Sequence, residues 1–378
     1  MKKLIALLLA LSMVFALAAC GGTTKEPEAT EAATEAVTEA ATEASTEAPT
    51  EAATEAPTEA AAQFPMTVTD ILGNEVTLEA PASKLVGTHN PTMNTAVVLG
   101  GGGQYIAGFG NKEMADVLYS YVYPELANDV IQIGKGKNIN YETVLTTGAD
   151  LAILPERFAY MVEEFNAVGI PAIVILASTE SFDTIRNALT LMGTVVGESD
   201  RAEQIIGYFD NLINKIAERT AGAESKPTVM FLGSSNMYSV APGAMIQSDI
   251  METAGATNAV TGVEILGEFA DVSAEEMVGW NPDIIWVPAY ADYTVEDVLN
   301  APEFSSITAV QNGAVYSFPS ELEPWDYPTA SACLGVAWAA YNVHPELYTY
   351  EELIADVNGF YELVYGQTFT AEQIGVVE

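Results

Sequence analysis

Positive charge is the scarcest feature of this chain. Its 378 residues hold 13 lysines and arginines against 52 aspartates and glutamates, a net charge of −39, with two cysteines and two histidines. Each shortage excludes something. Nucleic-acid binding needs clustered Lys and Arg to neutralise phosphates, and a peripheral hold on anionic lipid needs a basic patch. Neither can be assembled here. Two cysteines build no disulfide framework, and two histidines supply no histidine-rich metal site. The length suffices for two folded units with substantial cores.

What is present begins at the N-terminus. Met1-Lys2-Lys3 precedes an almost unbroken apolar run from Leu4 to Leu17. That run is shorter than the about 20 residues a membrane-spanning helix needs, and it reads as a secretory signal over residues 1–19. Leu17-Ala18-Ala19-Cys20-Gly21 resembles a bacterial lipobox, in which cleavage leaves Cys20 as the lipidated N-terminus. The alternative is an ordinary signal with a cysteine near its cleavage site. Several acyl chains on Cys20 anchor a protein durably where one would not, so the expected location is the extracytoplasmic face of the cell membrane, held in the bilayer through Cys20. Cys333 is then without a partner, and its apolar setting suggests a buried small residue.

From Gly21 to Gln63 the chain repeats Thr-Glu-Ala with small variations. Apart from Val37 it offers no large apolar side chain to bury, and ten glutamates face only Lys25. Like charges four apart oppose a helix, as do Pro49 and Pro57, although an alanine-rich helix remains an alternative. As a flexible tether over residues 20–63 it would span about 35 Å, enough to lift a domain off a membrane and through a cell wall.

Ten of the glutamates and three of the lysines lie before residue 64, so the remaining chain carries 42 acidic and 10 basic side chains. Met66 to Leu78 alternates around Gly73-Asn74, a hairpin signal. Short β-type runs then alternate with helix-length segments: Lys84–Gly87, Tyr105–Phe109, Ala149–Leu154 and Pro171–Leu176, then Thr228–Leu232, Asp283–Val287 and Ala314–Phe318. Phe158–Val168 has helical spacing between two of these runs. The pattern predicts an α/β fold of two α/β lobes, residues 64–198 and 226–378. Between them, in residues 199–225, Ile205, Ile206, Phe209, Leu212, Ile213 and Ile216 carry helical spacing, with Ser199 or Asp200 expected to cap its start. One long rigid helix joining two lobes limits their motion and leaves a ligand cleft between them.

Four segments, in order, carry a family resemblance. They are Gly134-Lys135-Gly136-Lys137-Asn138-Ile139-Asn140-Tyr141-Glu142 leading to Thr147-Gly148-Ala149-Asp150-Leu151; Ile246-Gln247-Ser248-Asp249-Ile250-Met251-Glu252-Thr253-Ala254-Gly255-Ala256-Thr257-Asn258; Val272-Ser273-Ala274-Glu275-Glu276 running into Trp280-Asn281-Pro282-Asp283; and Ala309-Val310-Gln311-Asn312-Gly313-Ala314-Val315-Tyr316. Together they resemble the class III substrate-binding proteins of ABC importers for ferric siderophores, haem and cobalamin, with Ala149 standing where the family usually has proline. The resemblance implies a ligand in a shallow cleft, an ABC permease and its ATPase as partners, a monomer, and no cofactor beyond the transported ligand. It also implies that Glu142 and Glu275, one per lobe, dock onto arginines of the permease. Each glutamate equally suits a helix N-terminus by charge alone.

Open α/β sheets place ligands beyond the carboxyl ends of their strands. The loops there hold His89, Asn90, Lys135, Lys137, Arg157 and Phe158 in the first lobe. In the second they hold Tyr238, Tyr290, Trp325 and Tyr327. Aromatic faces suit a macrocycle or chelate, and Arg157 suits a carboxylate or catecholate oxygen. Each also has a plainer alternative: a surface arginine, packing tyrosines, a turn-bonded His89, and His344 at a helix end. No residue is expected to bind metal directly, although Tyr290 alone would be available to haem iron. An enzyme is not expected. Gly100 to Gly103 fits no phosphate-loop spacing, Gly233-Ser234-Ser235 lacks the second glycine of a nucleophile elbow, and two histidines leave few routes to a triad. The reading is a lipid-anchored receptor for a ferric siderophore or related metal chelate. A haem or cobalamin receptor and a sensory lipoprotein without a transporter are the alternatives.

Overall fold

The computed structural model describes residues 64–100, 103–263 and 265–376. The signal, Cys20 and the tether lie outside the described residues.

Two four-stranded sheets organise the described chain, and both are wholly parallel. The first runs, in spatial order, Ile106–Phe109, Leu85–Gly87, Leu151–Pro155, Ala172–Leu176. The second runs Thr257–Asn258, Thr228–Phe231, Ile284–Pro288, Val315–Phe318. In each lobe the strand that comes first in sequence lies between the second and the third, so both sheets have the order 2-1-3-4. The strands lie within about two residues of the apolar runs. Thr257–Asn258 was not visible as a strand because two residues between helical segments carry no period. The N-terminal hairpin pairs Met66–Thr69 with Glu75–Leu78, and Asp70 fastens it to the first sheet by accepting the Val174 N–H at 3.1 Å.

Parallel strands are buried on both faces, and alternate residues choose the face. Leu151 and Ile153 enter one core, Ala152 and Leu154 another. Val229, Phe231 and Trp286 point the same way in the second lobe, while Met230, Ile285 and Val287 point outward. The inward faces of both sheets join a single core. It runs from Met93 and Ile185 in the first lobe, through Ile205, Phe209 and Ile216, to Phe318 and Trp338 in the second.

Those central residues belong to the helix Ser199–Thr220, the connection between the lobes. At 1.5 Å per residue its 22 residues run about 33 Å. Ala202, Ile205, Phe209, Leu212, Ile213 and Ile216 form its buried stripe, and each large side chain fully removed from water contributes roughly 1.5–3 kcal/mol. The expected cap is absent. Ser199 opens the first turn, and Glu198, ahead of it, accepts the Tyr105 hydroxyl at 3.1 Å. The helix Tyr350–Tyr365 lies along it, tied by Arg201 to the Leu363 and Val364 carbonyls and by Lys215 to Asp356 at 2.6 Å. Cys333 is buried with its thiol on the Ala330 carbonyl, and His344 is buried at a helix end beside the Gly255 carbonyl.

The connecting helix approaches its neighbour Phe182–Val196 closely. A Cβ at Gly193 would stand 2.7 Å from that of Ala202. Gly to Ala inside a helix ordinarily gains up to about 1 kcal/mol. Here the methyl has no room, so Gly193→Ala is expected to lose about 1–3 kcal/mol and lower Tm in thermal denaturation. An unchanged or higher Tm would show that the two helices separate freely.

Glu323 is buried where the lobes meet, its Oε2 accepting the Asn94 amide N–H at 3.5 Å and its Oε1 without a partner. Burial pushes its carboxyl up to about 7, against 4.5 ordinarily. Between those values the folded chain keeps a proton that the unfolded chain has released, so its contribution to stability falls as pH rises. Glu323→Gln is expected to raise Tm at pH 8 by removing a charge cost of a few kcal/mol, and to leave Tm at pH 4 nearly unchanged. Equal shifts at both pH values would place the effect in packing instead.

Candidate functional site

The shared strand order sets where the site forms. In an order 2-1-3-4, connections leave the first and third strands toward opposite sides, and a crevice opens between their carboxyl ends. In the first lobe those ends carry Thr88-His89 and Glu156-Arg157. In the second, the third strand ends at Pro288 and delivers Ala289-Tyr290.

Gly87 makes the first turn possible. A side chain there would meet the Ile153 carbonyl at 2.8 Å and the Met93 sulfur at 2.6 Å. The chain turns at once into the helix Asn90–Leu99, with Pro91 in its first turn, and His89 sits ahead of it, 8% exposed. The Arg157 guanidinium reaches His89 Nε2 at 2.6 Å. A guanidinium only donates, so Nε2 accepts and the ring proton is assigned to Nδ1, which has no partner. Burial first, and the Arg157 charge second, hold the His89 pKa well below 6.5, so the ring is neutral at pH 7. Phe158 edges against the His89 ring and lies under the guanidinium at 5.6 Å. Arg157 itself is exposed.

Across the cleft, Tyr290 donates its hydroxyl to Asp326 Oδ2 at 2.6 Å, and its ring meets that of Tyr327 edge-on at 5.7 Å. Asp326 is 1% exposed, and its other carboxylate oxygen, Oδ1, has no partner. Burial outweighs the Tyr290 hydrogen bond and pushes the carboxyl up to about 6. Glu180, in the loop after Ala172–Leu176, faces the same charges. Burial pushes its carboxyl up to about 7, with Arg157 pulling it down and Asp326 pushing it up.

His89, Pro155, Arg157, Leu176, Ala177, Ser178 and Glu180 of the first lobe and Leu266, Gly267 and Glu268 of the second enclose a cavity of about 80 Å³. Gly267 allows that closure. Its φ is +65°, and a Cβ there would be 2.2 Å from the Ser178 carbonyl oxygen, so the second-lobe loop rests directly on the first lobe. The lobes are also joined by the Phe182 N–H donating to Asp249 Oδ2 at 3.1 Å.

The structure therefore gathers His89, Arg157, Phe158, Tyr290 and Tyr327 around one cleft. Asn90 is buried beside them with its amide nitrogen unpartnered. Lys135 and Lys137 lie on the hairpin Gly134–Lys135 with Asn138–Ile139, whose Gly136 carbonyl accepts the Thr88 hydroxyl at 2.6 Å. Both lysines are exposed, next to the cleft but not in the cavity wall. Two expectations are corrected. Trp325 is 1% exposed and donates its indole N–H to the Tyr361 hydroxyl, because the proline-bounded loop is a buried strap under the cleft rather than a free rim. Tyr238 is turned to Glu303 and packs on Phe304, away from the cavity.

Glu180, Ser178 and Glu268 were not singled out from sequence. Glu180 and Ser178 follow the fourth strand of the first lobe, so the strand-end rule reaches them. Glu268 lies in a loop with no sequence signal. Among the described residues no group of three or more His, Cys, Asp or Glu side chains is placed to hold a metal, and no helix is long and apolar enough to cross a membrane. Glu142 and Glu275 are exposed in the first turns of Tyr141–Thr147 and Ala274–Trp280, on different lobes, with Asn140 and Ser273 as caps.

This architecture has known counterparts. The molybdate-binding protein MolA of Haemophilus influenzae is 24% identical over 324 residues, covering 80% of this chain and 91% of its own. Its structure with molybdate superimposes with a TM-score of 0.71 at 21% identity, over 81% of this chain and 99% of that one. A periplasmic solute-binding protein of Veillonella parvula gives 0.71 at 22% identity over 82% and 96%. Helicobacter pylori CeuE with Ni-His gives 0.68 at 21% over 82% and 98%. At these identities the likeness shows the fold. A family profile described as periplasmic binding protein matches residues 98–322, more than half of the sequence. The chain belongs to the periplasmic binding protein family, in its class III fold, the solute-binding components of ABC transporters.

Proposed function

We propose that this protein, anchored outside the cell through a lipidated Cys20, captures a small metal chelate and delivers it to an ABC permease. The observation that carries the ligand class is a small cleft of mixed charge. Arg157 offers a donor fork for a carboxylate, while Glu180 and Asp326 favour positive charge, and Tyr290 and Tyr327 present aromatic faces. A ligand carrying both a cationic metal and anionic arms satisfies all of them. The cavity of about 80 Å³ is well below the roughly 300–1,000 Å³ of sites that engulf drug-sized ligands. A ferric siderophore, the chelate first favoured from sequence, would have to lie across the mouth, as would haem or cobalamin. A nickel–histidine complex, as named for the CeuE structure, is of the smaller kind.

A second reading rests on the MolA likeness. Molybdate would use Arg157 and the His89 Nδ1–H, but it would meet Glu180 and Asp326 as repulsion. In either case Glu142 and Glu275 would dock the loaded protein on the permease, where opposed charges fix register and speed encounter.

Calorimetric titration of the purified chain with nickel–histidine, ferric hydroxamate, ferric catecholate, hemin, cobalamin and molybdate separates these readings. Submicromolar binding of the small chelate is expected, with Arg157→Ala weakening it tenfold or more, about 1.4 kcal/mol. Selective binding of a large ligand, or an Arg157→Ala affinity equal to wild type, would sink the small-chelate site. For docking, Glu142→Lys with Glu275→Lys is expected to abolish cellular uptake while leaving ligand affinity within twofold. Retained uptake would remove the glutamates from the interface.

A further inference from the structure

The two lobes bring opposite hydrogen-bonding groups to the cleft. On the first lobe, His89 Nδ1 and the Asn90 amide nitrogen are buried without partners, and the Arg157 guanidinium stands beside His89. With His89 Nε2 accepting from Arg157, all three groups are donors. On the second lobe the unpartnered buried atoms are Asp326 Oδ1 and Gln247 Oε1, and both accept.

Their arrangement is held by neighbouring contacts. Gln247, in the first turn of the helix Ile246–Thr253, donates its Nε2 to the Asp326 carbonyl at 2.9 Å, which leaves Oε1 as the acceptor. Tyr290 occupies the other Asp326 carboxylate oxygen at 2.6 Å. The Asn94 amide reaches Glu323 at 3.5 Å, so the helix Asn90–Leu99 lies against the chain that leads into Asp326. Asn90 stands one turn before Asn94, on the same face of that helix. Asn90, Gln247 and Asp326 are each no more than 2% exposed. A polar atom buried without a partner is costly to keep, and here the donors belong to one lobe and the acceptors to the other. Glu180 and Glu268 line the cavity from one lobe each, so the difference between the two sides is left to these groups.

We propose that the cleft recognises an amino-carboxylate ligand in one orientation: its carboxylate oxygens meet Arg157, His89 and Asn90 of the first lobe, and its amine N–H groups meet Asp326 and Gln247 of the second. This rests on the small-chelate reading above and deepens it, because an amino acid bound to a metal keeps both amine N–H groups and an outer carboxylate oxygen. A ligand with oxygens alone leaves Asp326 and Gln247 unsatisfied and meets the Asp326 charge as repulsion. A polyamine leaves the first-lobe donors unsatisfied and brings its charge against Arg157. The site thereby selects against both.

The test is calorimetry of the purified chain at pH 8, where Asp326, raised by burial to about 6, is ionised. The probes are nickel–histidine, nickel–citrate, nickel–triethylenetetramine and metal-free histidine. Citrate supplies oxygens without N–H groups, and the polyamine supplies N–H groups without oxygens. Nickel–histidine is expected to bind at least tenfold more tightly than either one-ended chelate. Asp326→Asn and Gln247→Met are each expected to weaken nickel–histidine at least fivefold and to leave nickel–citrate bound no more weakly than in wild type. Either variant that keeps the wild-type melting transition suffices. A one-ended chelate within twofold of nickel–histidine in the wild type would overturn the proposal and leave the small-chelate reading standing. Nickel–histidine affinity within twofold of wild type in the folded variants would do the same. Metal-free histidine bound as tightly as nickel–histidine, and weakened fivefold by Asp326→Asn, would support the orientation and overturn the chelate reading instead. Binding of none of the four probes would overturn both.

Discussion

The helix Ser199–Thr220 is the constraint on which the rest of the molecule depends. It does not hang between two finished domains. Its stripe of Ile205, Phe209 and Ile216 is the middle of a core that each lobe enters from its own side. It packs against Phe182–Val196 of the first lobe and against Ile246–Thr253 and Ala332–Val343 of the second, so it ties the helices of both lobes into one core. To swing one lobe far from the other, the chain would have to expose that stripe, and several large side chains at roughly 1.5–3 kcal/mol each make such opening unfavourable. The cleft is therefore bounded by a nearly fixed geometry, and motion is left to its loops. Small backbone change on binding is the natural result.

Within that frame the site solves an electrostatic problem. A chain with 42 acidic and 10 basic side chains after residue 63 has few ways to neutralise a buried carboxylate with a cation. Around the cleft and beneath it, burial instead moves the pKa values of the acids Glu180, Asp326 and Glu323 toward neutrality. Desolvation dominates in each case, and it is offset in part by the Arg157 charge at Glu180, the Tyr290 hydroxyl at Asp326 and the Asn94 amide at Glu323. One arginine supplies the positive charge against His89, and its leverage comes from the absence of competitors in the cavity wall.

The sequence carried the framework clearly. Strands buried on both faces leave dense apolar runs, and a helix with one buried stripe leaves a periodic record, so both sheets and the connecting helix were readable. So was the position of His89, Arg157 and Tyr290 just beyond strand ends, where open α/β sheets leave a crevice. Residues whose role depends on distant chain were harder. Trp325 looked like a rim residue between two prolines, yet its loop is pulled inward by Tyr361, 36 positions away. Tyr238 followed the right strand, but Glu303 and Phe304 claim its ring. Glu180 shares the cavity wall with Leu266, Gly267 and Glu268, which reach it from the other lobe. Interlobe contacts of this kind have no local periodicity, and nothing in a single sequence announces them.

The repeated 2-1-3-4 strand order has an evolutionary consequence. Each lobe presents loops at equivalent stations around one crevice, while its strands remain committed to the core. Exchange of residues in those loops alters what is recognised without disturbing the sheets that support it. Such a frame lets recognition diversify while architecture is inherited intact, and relatives can part company in cargo long before they part company in shape.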